Sequence, residues 1–363
     1  MHAHLTILSG HAWYHLKAAV TLFSDFHDMN KVITLNHGSG GRQSHDLIGG
    51  LFAGRFGMDK PLTDSAVLPG EGYILAFTTD SYVVEPLFFP GGNIGKLAVC
   101  GTVNDLAVSG AVPLYISAAF IMEEGFGFQE LELIVDTMAD EAKRAGVRIV
   151  TGDTKVVGRG KCDRLFITTS GTGSLKSSFA HLSSAVRVRS GDDVIVSGPL
   201  GNHAIAVLGA RNNLGFSSPV ESDCACLNHM IKDVLDSGAD VHFMRDLTRG
   251  GLASVLHELW VMTGYCMVIQ EKSVPVDEPV RGLCEVLGFD PLYLANEGKI
   301  VLIADENDSP KIIDILQSHL SGKNASVIGK ITGKKTGGII IETSGGGRRM
   351  LDLPSGIQLP RIC

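Results

Sequence analysis

The sequence has few aromatic residues and lacks several features that define common protein classes. Phe, Trp and Tyr make up 6% of its 363 residues, and its seven cysteines have no regular spacing. Such a cysteine set is typical of reduced thiols rather than of a disulfide framework. No uninterrupted apolar run reaches the roughly 18 residues that a membrane span needs. We therefore expect a cytoplasmic protein without a membrane-spanning segment.

The charge balance excludes further partners. Lys and Arg total 31 and Asp and Glu total 39, so the net charge is −8. This surplus of negative charge disfavours nonspecific binding to nucleic acid or to an anionic membrane surface. The carboxylates are better suited to holding a cation. The sequence also lacks a GxxxxGKS/T phosphate loop, a Rossmann fingerprint in a strand–turn–helix context and a Ser–His–Asp signature.

Glycine is abundant where aromatic residues are scarce. The 44 glycines amount to about one residue in eight, against an average nearer one in fourteen. Glycine lets the backbone approach a ligand closely, as it does around phosphates. Near the start, Gly38, Gly40 and Gly41 precede Arg42 in NHGSGGR. This segment is either a phosphate-binding loop or an ordinary flexible turn.

Composition and periodicity divide the chain into an extension, two domains and a tail. Residues 1–28 carry five histidines, and we interpret them as an N-terminal extension rather than a metal site, with Met29 starting the functional chain. Mixed helix and strand patterns predict two α+β domains, at 29–180 and 181–343. Three consecutive glycines and two prolines predict a flexible tail at 344–363, which ends in Cys363. Strands are predicted at 73–77, 114–120, 147–151, 165–168, 193–197, 299–303 and 338–341, and helices with apolar faces at 131–142, 227–235 and 252–259.

Four aspartates lie beside predicted strands or glycine turns. Asp64 lies in LTDSAVL, Asp80 ends a strand in ILAFTTDSYVV, and Asp153 follows one in RIVTGDTKVV; Asn104 and Asp105 lie in GTVNDLAVSGA. Loops after strands often carry functional sites, and Mg²⁺ prefers carboxylate and phosphate oxygens. Each aspartate alone is better explained as a turn former or helix cap. Together they predict a metal–nucleotide site.

Three further motifs occupy the second half of the chain. Arg245, Asp246 and Arg249 precede paired glycines in FMRDLTRGGLA, which is typical of an ion-paired loop before a helix. Glu297 precedes an apolar strand in YLANEGKIVLIA, and it is either a solvated turn residue or a group in a cleft. Cys224 and Cys226 form a C-x-C pair on a predicted helix, without the second pair that a zinc site needs.

Five segments together resemble one superfamily. TTDSYVVEP, GTVNDLAVSGAVPLYISAAFI, VTGDTKVV, RDLTRGGLA and LANEGKIVLI are similar to the ATP-dependent enzymes related to aminoimidazole ribonucleotide synthetase, the PurM-like proteins. HGSGGR, IVSGPLGNHAIAV and the ending LPRIC single out, within that superfamily, the carbamoyl dehydratases of hydrogenase maturation. The resemblance covers about residues 30–363.

The resemblance implies a fold and a nucleotide site. It implies a two-domain PurM-like α+β fold whose first domain builds a shared β-barrel in a homodimer, with ATP beside the interface. Mg²⁺ and the triphosphate would be held by Asp64, Asp80, Asp105 and Asp153, with Asn104 in the nucleotide site. A glycine arm would lie over the nucleotide, formed by His37, Gly38, Gly40 and Gly41.

The resemblance also implies a reaction. Cys363 would receive a carbamoyl group from the carbamoyltransferase HypF, and the chain would use ATP to dehydrate this S-carboxamide to a thiocyanate. Glu297 and Lys155 would take up the amide protons. The cyanide would pass to iron on a HypC–HypD complex, for the active site of nickel–iron hydrogenase.

Two other functions fit parts of the sequence. Another PurM-like ATP enzyme, such as a selenophosphate synthetase, would usually carry cysteine or selenocysteine in its glycine-rich arm, and NHGSGGR contains neither. A carrier that delivers a thiol-bound group, with ATP only controlling the tail, is not distinguished from an enzyme by sequence.

Overall fold

The computed structural model describes residues 33–38, 40–56, 62–70, 73–211, 219–333, 337–353, 359 and 362–363. The predicted N-terminal extension, 1–28, lies outside these residues. The described residues form α+β structure built on two large sheets and a small two-stranded one, as the mixed pattern predicts.

The strands and helices are as follows. The strands are β1 (Ala66–Gly70), β2 (Tyr73–Tyr82), β3 (Phe88–Phe89), β4 (Gly92–Asn93), β5 (Ala111–Glu123), β6 (Arg148–Val157), β7 (Leu165–Leu175), β8 (Asp193–Val196), β9 (Val241–Asp246), β10 (Met267–Gln270), β11 (Ile300–Ala304), β12 (Ser326–Ile331), β13 (Ile339–Glu342) and β14 (Arg348–Met350). The helices are α1 (Arg42–Leu47), α2 (Ala53–Phe56), α3 (Ile94–Val108), α4 (Phe128–Ala145), α5 (Asn202–Gly209), α6 (Asn228–Asp236), α7 (Gly251–Thr263), α8 (Glu278–Leu287) and α9 (Ser309–Ser318), with a π-helical turn at Ile48–Phe52 and 3₁₀ turns at Leu35–Gly38, Ser177–Phe179, Glu271–Ser273, Pro291–Tyr293 and Leu320–Gly322.

The first sheet has the order β1-β2-β7-β5-β6 and two unlike faces. Alternate residues of β7, such as Ile167 and Thr169, are buried against helices, and their neighbours in sequence point to the other side. We term these the inner and outer faces. Since side chains alternate along a strand, the register places Asp80, opposite Thr169, on the inner face. The sheet of the single chain is open, with β1 and β6 at its edges among the described residues.

Helix α3 lies between the two domains. Asn93 caps its N-terminus by accepting hydrogen bonds from the backbone N–H groups of Gly95 and Lys96, at 2.9 and 3.1 Å. The helix has no separate polar face, and nearly every residue in it is buried. A helix of this kind belongs in a protein interior. It packs against β2, β5 and β7 on one side and against α6 and β9 on the other.

The second sheet has the order β14-β13-β10-β12-β8-β11-β9 and is covered on both faces. Helix α7 packs into one core cluster, while α6 and α9 pack into another on the opposite face. The buried faces predicted around Met230 in α6 and Leu256 in α7 are confirmed. In α4, Ile134 and Met138 are buried as predicted, but Val135 is 44% exposed.

Several local predictions are corrected by the structure. Asp80 and Asp153 lie inside β2 and β6 rather than at strand ends, because both strands continue past them, and Asp105 lies in α3. The predicted helix around Cys224 and Cys226 is a loop, and α6 begins only after it, at Asn228.

The segment predicted as a tail also contains regular structure. Its residues Arg348–Met350 form β14, which pairs antiparallel with β13, and Leu351 is buried behind it. The second sheet therefore extends into the predicted tail. Among the described helices, none combines the length and apolar character that crossing a membrane would require.

Candidate active site

Aspartates from both domains, one buried and three partly buried, lie close together. Thr78 on β2 donates to Asp105 Oδ2 at 2.7 Å or to the Asp64 carbonyl oxygen at 2.9 Å, which ties α3 to the segment before β1. Tyr82 Oη donates to Asp80 Oδ2 at 3.2 Å. Asp246, at the end of β9, is buried and adds a carboxylate from the second domain. We term Asp64, Asp80, Asp105 and Asp246 the aspartate cluster.

Burial and mutual repulsion dominate the electrostatics of the aspartate cluster. Burial raises the pKa of Asp64 to about 6. The pKa of Asp105 is well above its usual range because of burial and the nearby charges of Asp80 and Asp246. Asp80 and Asp246 shift in the same direction, again mainly through burial. A site that holds several carboxylates together against their repulsion is suited to receive a cation.

Two arginines from the RDLTRGG segment face the aspartate cluster. Arg245 Nε lies 3.1 Å from Asp64 Oδ2, and the same guanidinium binds Glu258 and the Leu62 carbonyl oxygen. Arg249 is close enough to Asp80 to oppose the rise in that carboxyl's pKa. The ion pairs predicted from sequence are therefore present, but Arg245 and Asp246 lie at the end of β9 rather than in a loop, and the pairs are part of the site.

The glycine arm reaches the same loop. Gly40 has a φ of +75°, and a Cβ there would lie 2.8 Å from the Arg249 carbonyl oxygen. Ser254 in α7 donates to the Gly40 carbonyl oxygen at 3.1 Å, and the Gly40 N–H donates to Ser44 Oγ at 2.9 Å. These contacts hold the arm beside Arg249. The structure thus brings the arm and the aspartates to one region, as the resemblance implies.

Glu297 lies in a buried loop on the second-domain side of the site. Its side chain is 3% exposed, and its Oε1 has no hydrogen-bond partner among the described residues. Burial and the charges of Asp246 and Asp223 raise its pKa well above its usual range. Asn104 stabilises this region, since its amide donates to the Ala225 carbonyl oxygen at 3.0 Å and its Oδ1 accepts from Leu227 N–H at 2.8 Å.

Cys363 lies beside Glu297 and Arg249. Burial together with the charge of Glu297 raises the pKa of the thiol to about 12. Cys363 is also the residue that contributes most to raising the pKa of Arg249. The last residue of the chain is therefore at the edge of the aspartate cluster, next to a carboxyl with high proton affinity.

Asp153 and Lys155 are not part of this arrangement. Their side chains are 64% and 67% exposed and form an ion pair at 2.8 Å. They pair in register with Ala119 and Ile121 on the outer face of the first sheet. The hydrogen bond from Lys155 lowers the pKa of Asp153. Asp80 is three strands away and on the other face, about 14 Å along the sheet at the usual strand spacing.

Cysteines also meet at the domain junction. Cys226, from the loop before α6, and Cys100, on α3, have their sulfurs 3.4 Å apart. Cys224 is buried beside them and takes part in raising the pKa of Cys100. All seven cysteines are described and none forms a disulfide, as the sequence predicts.

Sequence reasoning missed two groups. Asp246 was assigned to an ion-paired loop, although its place directly after the strand-like segment VHFMR was a signal that it ends a strand, where the structure buries it. Tyr82 and Thr78 share the inner face of β2 with Asp80, and extending the predicted strand to Tyr82 would have found both.

Comparison with known proteins agrees with this arrangement. Models of the AIR synthase related protein family match at residues 62–175 for the N-terminal domain and 189–342 for the C-terminal domain. These two matches define the class of the protein and confirm the two-domain PurM-like α+β fold.

Closer relatives define the family within that class. The carbamoyl dehydratase HypE of Rhodobacter capsulatus is 50% identical over 91% of this chain and 98% of that protein. A solved HypE–HypF complex matches with a TM-score of 0.79, 46% identity and coverage of 85% of this chain and 99% of the matched one. A solved HypE in complex with ATP matches with a TM-score of 0.76, 44% identity and coverage of 92% and 100%. The chain belongs to the HypE family of carbamoyl dehydratases.

Proposed function

We propose that this chain uses ATP to dehydrate a carbamoyl group carried on Cys363, which converts an S-carboxamide to a thiocyanate. The observation that carries the proposal is that Cys363 is held against the domain junction, with its main-chain oxygen bonded to Val83 N–H, close enough to Glu297, Arg249 and Asp80 for their charges to shift the pKa of its thiol. A terminal thiol held there is suited to chemistry on the group that it carries. The ATP bound in a solved HypE relative supports the nucleotide.

The proposed reaction has two steps. The carboxamide oxygen first attacks the γ-phosphorus of ATP, which releases ADP and one amide proton and leaves a phosphorylated imidate on the sulfur. The second nitrogen-bound proton then leaves, the C≡N bond forms, and phosphate departs with the former amide oxygen. Positioning and charge stabilisation are the main demands of phosphoryl transfer.

The aspartate cluster is where we propose that Mg²⁺ binds, together with the phosphates of the nucleotide. Burial raises the pKa of all four carboxyls there, neighbouring carboxylates add to the rise in Asp64, Asp105 and Asp246, and Arg245 and Arg249 are nearby cations. Oxygen ligands of this kind are those that Mg²⁺ prefers, and Asp64, Asp80, Asp105 and Asp246 would hold it. When bound, Mg²⁺ supplies charge neutralisation to the triphosphate. Asp153, included in the predicted metal site, joins this set only from a second copy of the chain.

Glu297 is the proposed acceptor of an amide proton. Burial raises the pKa of Glu297 well above its usual range, so its carboxylate has a higher affinity for a proton than an exposed one. The Glu297 loop is held in place because its N–H donates to Asp223 Oδ1 at 3.1 Å. Lys155 is proposed as the second proton-transfer group.

A homodimer through the outer face of the first sheet would bring Lys155 and Asp153 to a site. That face exposes an apolar surface on a sheet whose edges are open, formed by Leu68, Tyr73, Phe77, Val112, Tyr115 and Ile121. Exposed apolar patches of this extent usually mark interfaces. We propose that a second copy covers it and that the two sheets form the shared barrel implied by the superfamily.

The tail links the proposed partners. A thiol with a pKa of about 12 is protonated when seated, and thiols react as thiolates. We therefore propose that HypF loads the carbamoyl group while the tail is outside the site. A solved HypE–HypF complex supports HypF as the partner. After dehydration the cyanide would pass to iron on HypC–HypD, as a ligand for nickel–iron hydrogenase.

The test is mass spectrometry of the C-terminal peptide. The chain is incubated with HypF, carbamoyl phosphate and ATP, and a Cys363→Ala variant shows whether the modification is on that thiol. We expect a carbamoyl adduct that loses one water when ATP is supplied to the isolated adduct. An adduct that stays unchanged with ATP would refute the dehydratase and favour a carrier.

A further inference from the structure

Ile362 and Cys363 occupy a surface formed by both domains. The Ile362 side chain is 5% exposed and belongs to the buried cluster that also contains Val84, Ala204 and Leu294. The main-chain oxygen of Cys363 accepts a hydrogen bond from Val83 N–H at 3.3 Å. The last two residues are thus held by an apolar pocket and by the backbone that follows β2.

His203 is the side chain that holds the backbone of this segment. It lies in α5, is fully buried, and its Nε2 is 2.8 Å from the Ile362 carbonyl oxygen. Its Nδ1 is 2.8 Å from Ser222 Oγ. A carbonyl oxygen only accepts, so Nε2 must carry the ring proton and Nδ1 must accept from the Ser222 hydroxyl.

The surroundings of His203 favour this single arrangement. Burial lowers its pKa, which favours the neutral ring with one donor and one acceptor nitrogen. The Ser222 oxygen in turn accepts from Cys224 N–H at 3.1 Å, so the hydroxyl proton is directed at the ring. Phe89 packs edge-on against the imidazole with ring centroids 5.4 Å apart.

We infer that His203, oriented by Ser222, and the pocket around Ile362 form a binding site for a peptide end of the type apolar residue followed by cysteine. Its ligand is the chain's own terminus, and in that respect the inference rests on the proposed function. His203 binds the backbone of Ile362, and the pocket binds its side chain. His203 is a positioning residue, because it acts on Cys363 through the preceding residue.

This site does not contact the group that changes in the reaction. The contacts are made to the Ile362 carbonyl oxygen, its side chain and the Cys363 main-chain oxygen, whereas the carbamoyl or cyano group is on the sulfur. Thiol, carboxamide and thiocyanate forms of the tail therefore bind equally well through these contacts. Uniform binding of this kind positions a substrate without itself lowering the barrier.

Alkylation of Cys363 in the resting full-length chain tests the inference. The rate of labelling by iodoacetamide is followed by peptide mass spectrometry, without ATP or transferase. Losing one buried hydrogen bond should release the tail often enough to speed labelling about tenfold in His203→Leu. His203→Gln should label slowly, as the unaltered chain does, because its amide N–H donates from a similar position.

His181→Leu is the matched control. Its ring also pairs with a backbone carbonyl oxygen, that of Val241 at 2.9 Å, on the connection between the domains. Labelling of Cys363 should be unchanged in this variant. If both histidine variants accelerate labelling equally, the effect is general loosening and the inference is wrong.

Changing the tail avoids any dependence on folding of the His203 variant. Ile362→Ser removes the apolar contact while leaving both domains intact, and it should accelerate labelling of Cys363. Unaltered labelling in both His203→Leu and Ile362→Ser would overturn the inference. Because the assay contains no ATP, its failure leaves the proposed dehydration untouched, and absence of dehydration would leave the labelling pattern as expected here.

Discussion

The buried aspartate cluster and the exposed Asp153–Lys155 pair come from similar sequence contexts but have opposite electrostatics. Asp80 and Asp153 both lie within strands of the first sheet, after TT and TG respectively. On the inner face, burial raises the pKa of Asp80. On the outer face, the hydrogen bond from Lys155 lowers that of Asp153. The face of the strand, and what covers it, decides the properties of the carboxylate.

The largest expected effect is on the reaction rate, and it comes from a change at Glu297 in the buried site. Glu297→Gln removes the proposed proton acceptor and keeps the shape of the side chain. Loss of a positioned base costs about 10²–10⁴ in rate, so conversion of the carbamoyl adduct should fall by at least about a hundredfold. The measurement is the time course of water loss from the Cys363 peptide. Glu342→Gln, a change on β13 away from the site, should convert at the normal rate.

Mixing two defective chains tests whether Lys155, on the outer face of the first sheet, acts in the site of a second copy. Lys155→Ala alone should slow conversion by about ten- to a hundredfold, since it removes a second proton-transfer group. If a site takes Glu297 from one copy and Lys155 from the other, Lys155→Ala and Glu297→Gln chains refolded together should regain activity. About a quarter of the sites would be intact, because half of random dimers are mixed and each has one complete site. A mixture as inactive as its components would show that both residues act within one chain.

The apolar part of the outer face gives a third comparison. Phe77→Glu combined with Tyr115→Glu places charges in the proposed interface and should convert a dimer to a monomer, with the molar mass from light scattering halved. Val286→Glu is the control, since Val286 is 83% exposed on α8. A double variant that keeps its mass would place the interface elsewhere.

The smallest expected effect is on the pH dependence of stability. The pKa of Asp64 rises from 3.8 to about 6 on folding, so the folded chain binds more protons than the unfolded one in this range. The stabilisation is complete below about pH 4 and is lost as the pH rises through 6. Without metal or nucleotide, the free energy of unfolding should therefore decrease from pH 4 to 7.

Asp64→Asn isolates the contribution of that residue. It should flatten the decrease in the free energy of unfolding, measured by urea denaturation at several pH values. The remaining slope comes from Asp80, Asp105, Asp246 and Glu297, whose pKa values are raised in the same direction. An identical slope in the variant and the unaltered chain would refute the assignment.

Much of this site is predictable from sequence, and there are physical reasons why the rest is not. Motifs and resemblance pointed to Asp64, Asp80, Asp105 and Glu297, which the structure brings to one region, because short-range patterns of glycine and aspartate carry that information. The same patterns do not report the face of a strand. The prediction that Asp153 and Asp80 share one site does not hold within a single chain. The two residues are three strands apart in the sheet and lie on opposite faces.

Contacts between residues far apart in the sequence were also not predicted. His203 and Ile362 are separated by 159 residues and meet only when both domains and the tail are folded. Similarly, α3 has no amphipathic pattern, since it is buried on all sides, and so its central position is not evident from periodicity. Elements with one buried face, such as α6 and α7, were the ones that periodicity found.

Helix α3 also limits which changes in chain length the protein can accept. Adjacent residues on it have different tasks, since Asn104 binds the loop before α6 and Asp105 belongs to the aspartate cluster. Inserting or deleting one residue upstream within the helix would rotate both side chains by about 100° about its axis. Both contacts would be lost at once. Insertions and deletions among homologues should therefore be confined to loops and be absent between Asn93 and Asp105.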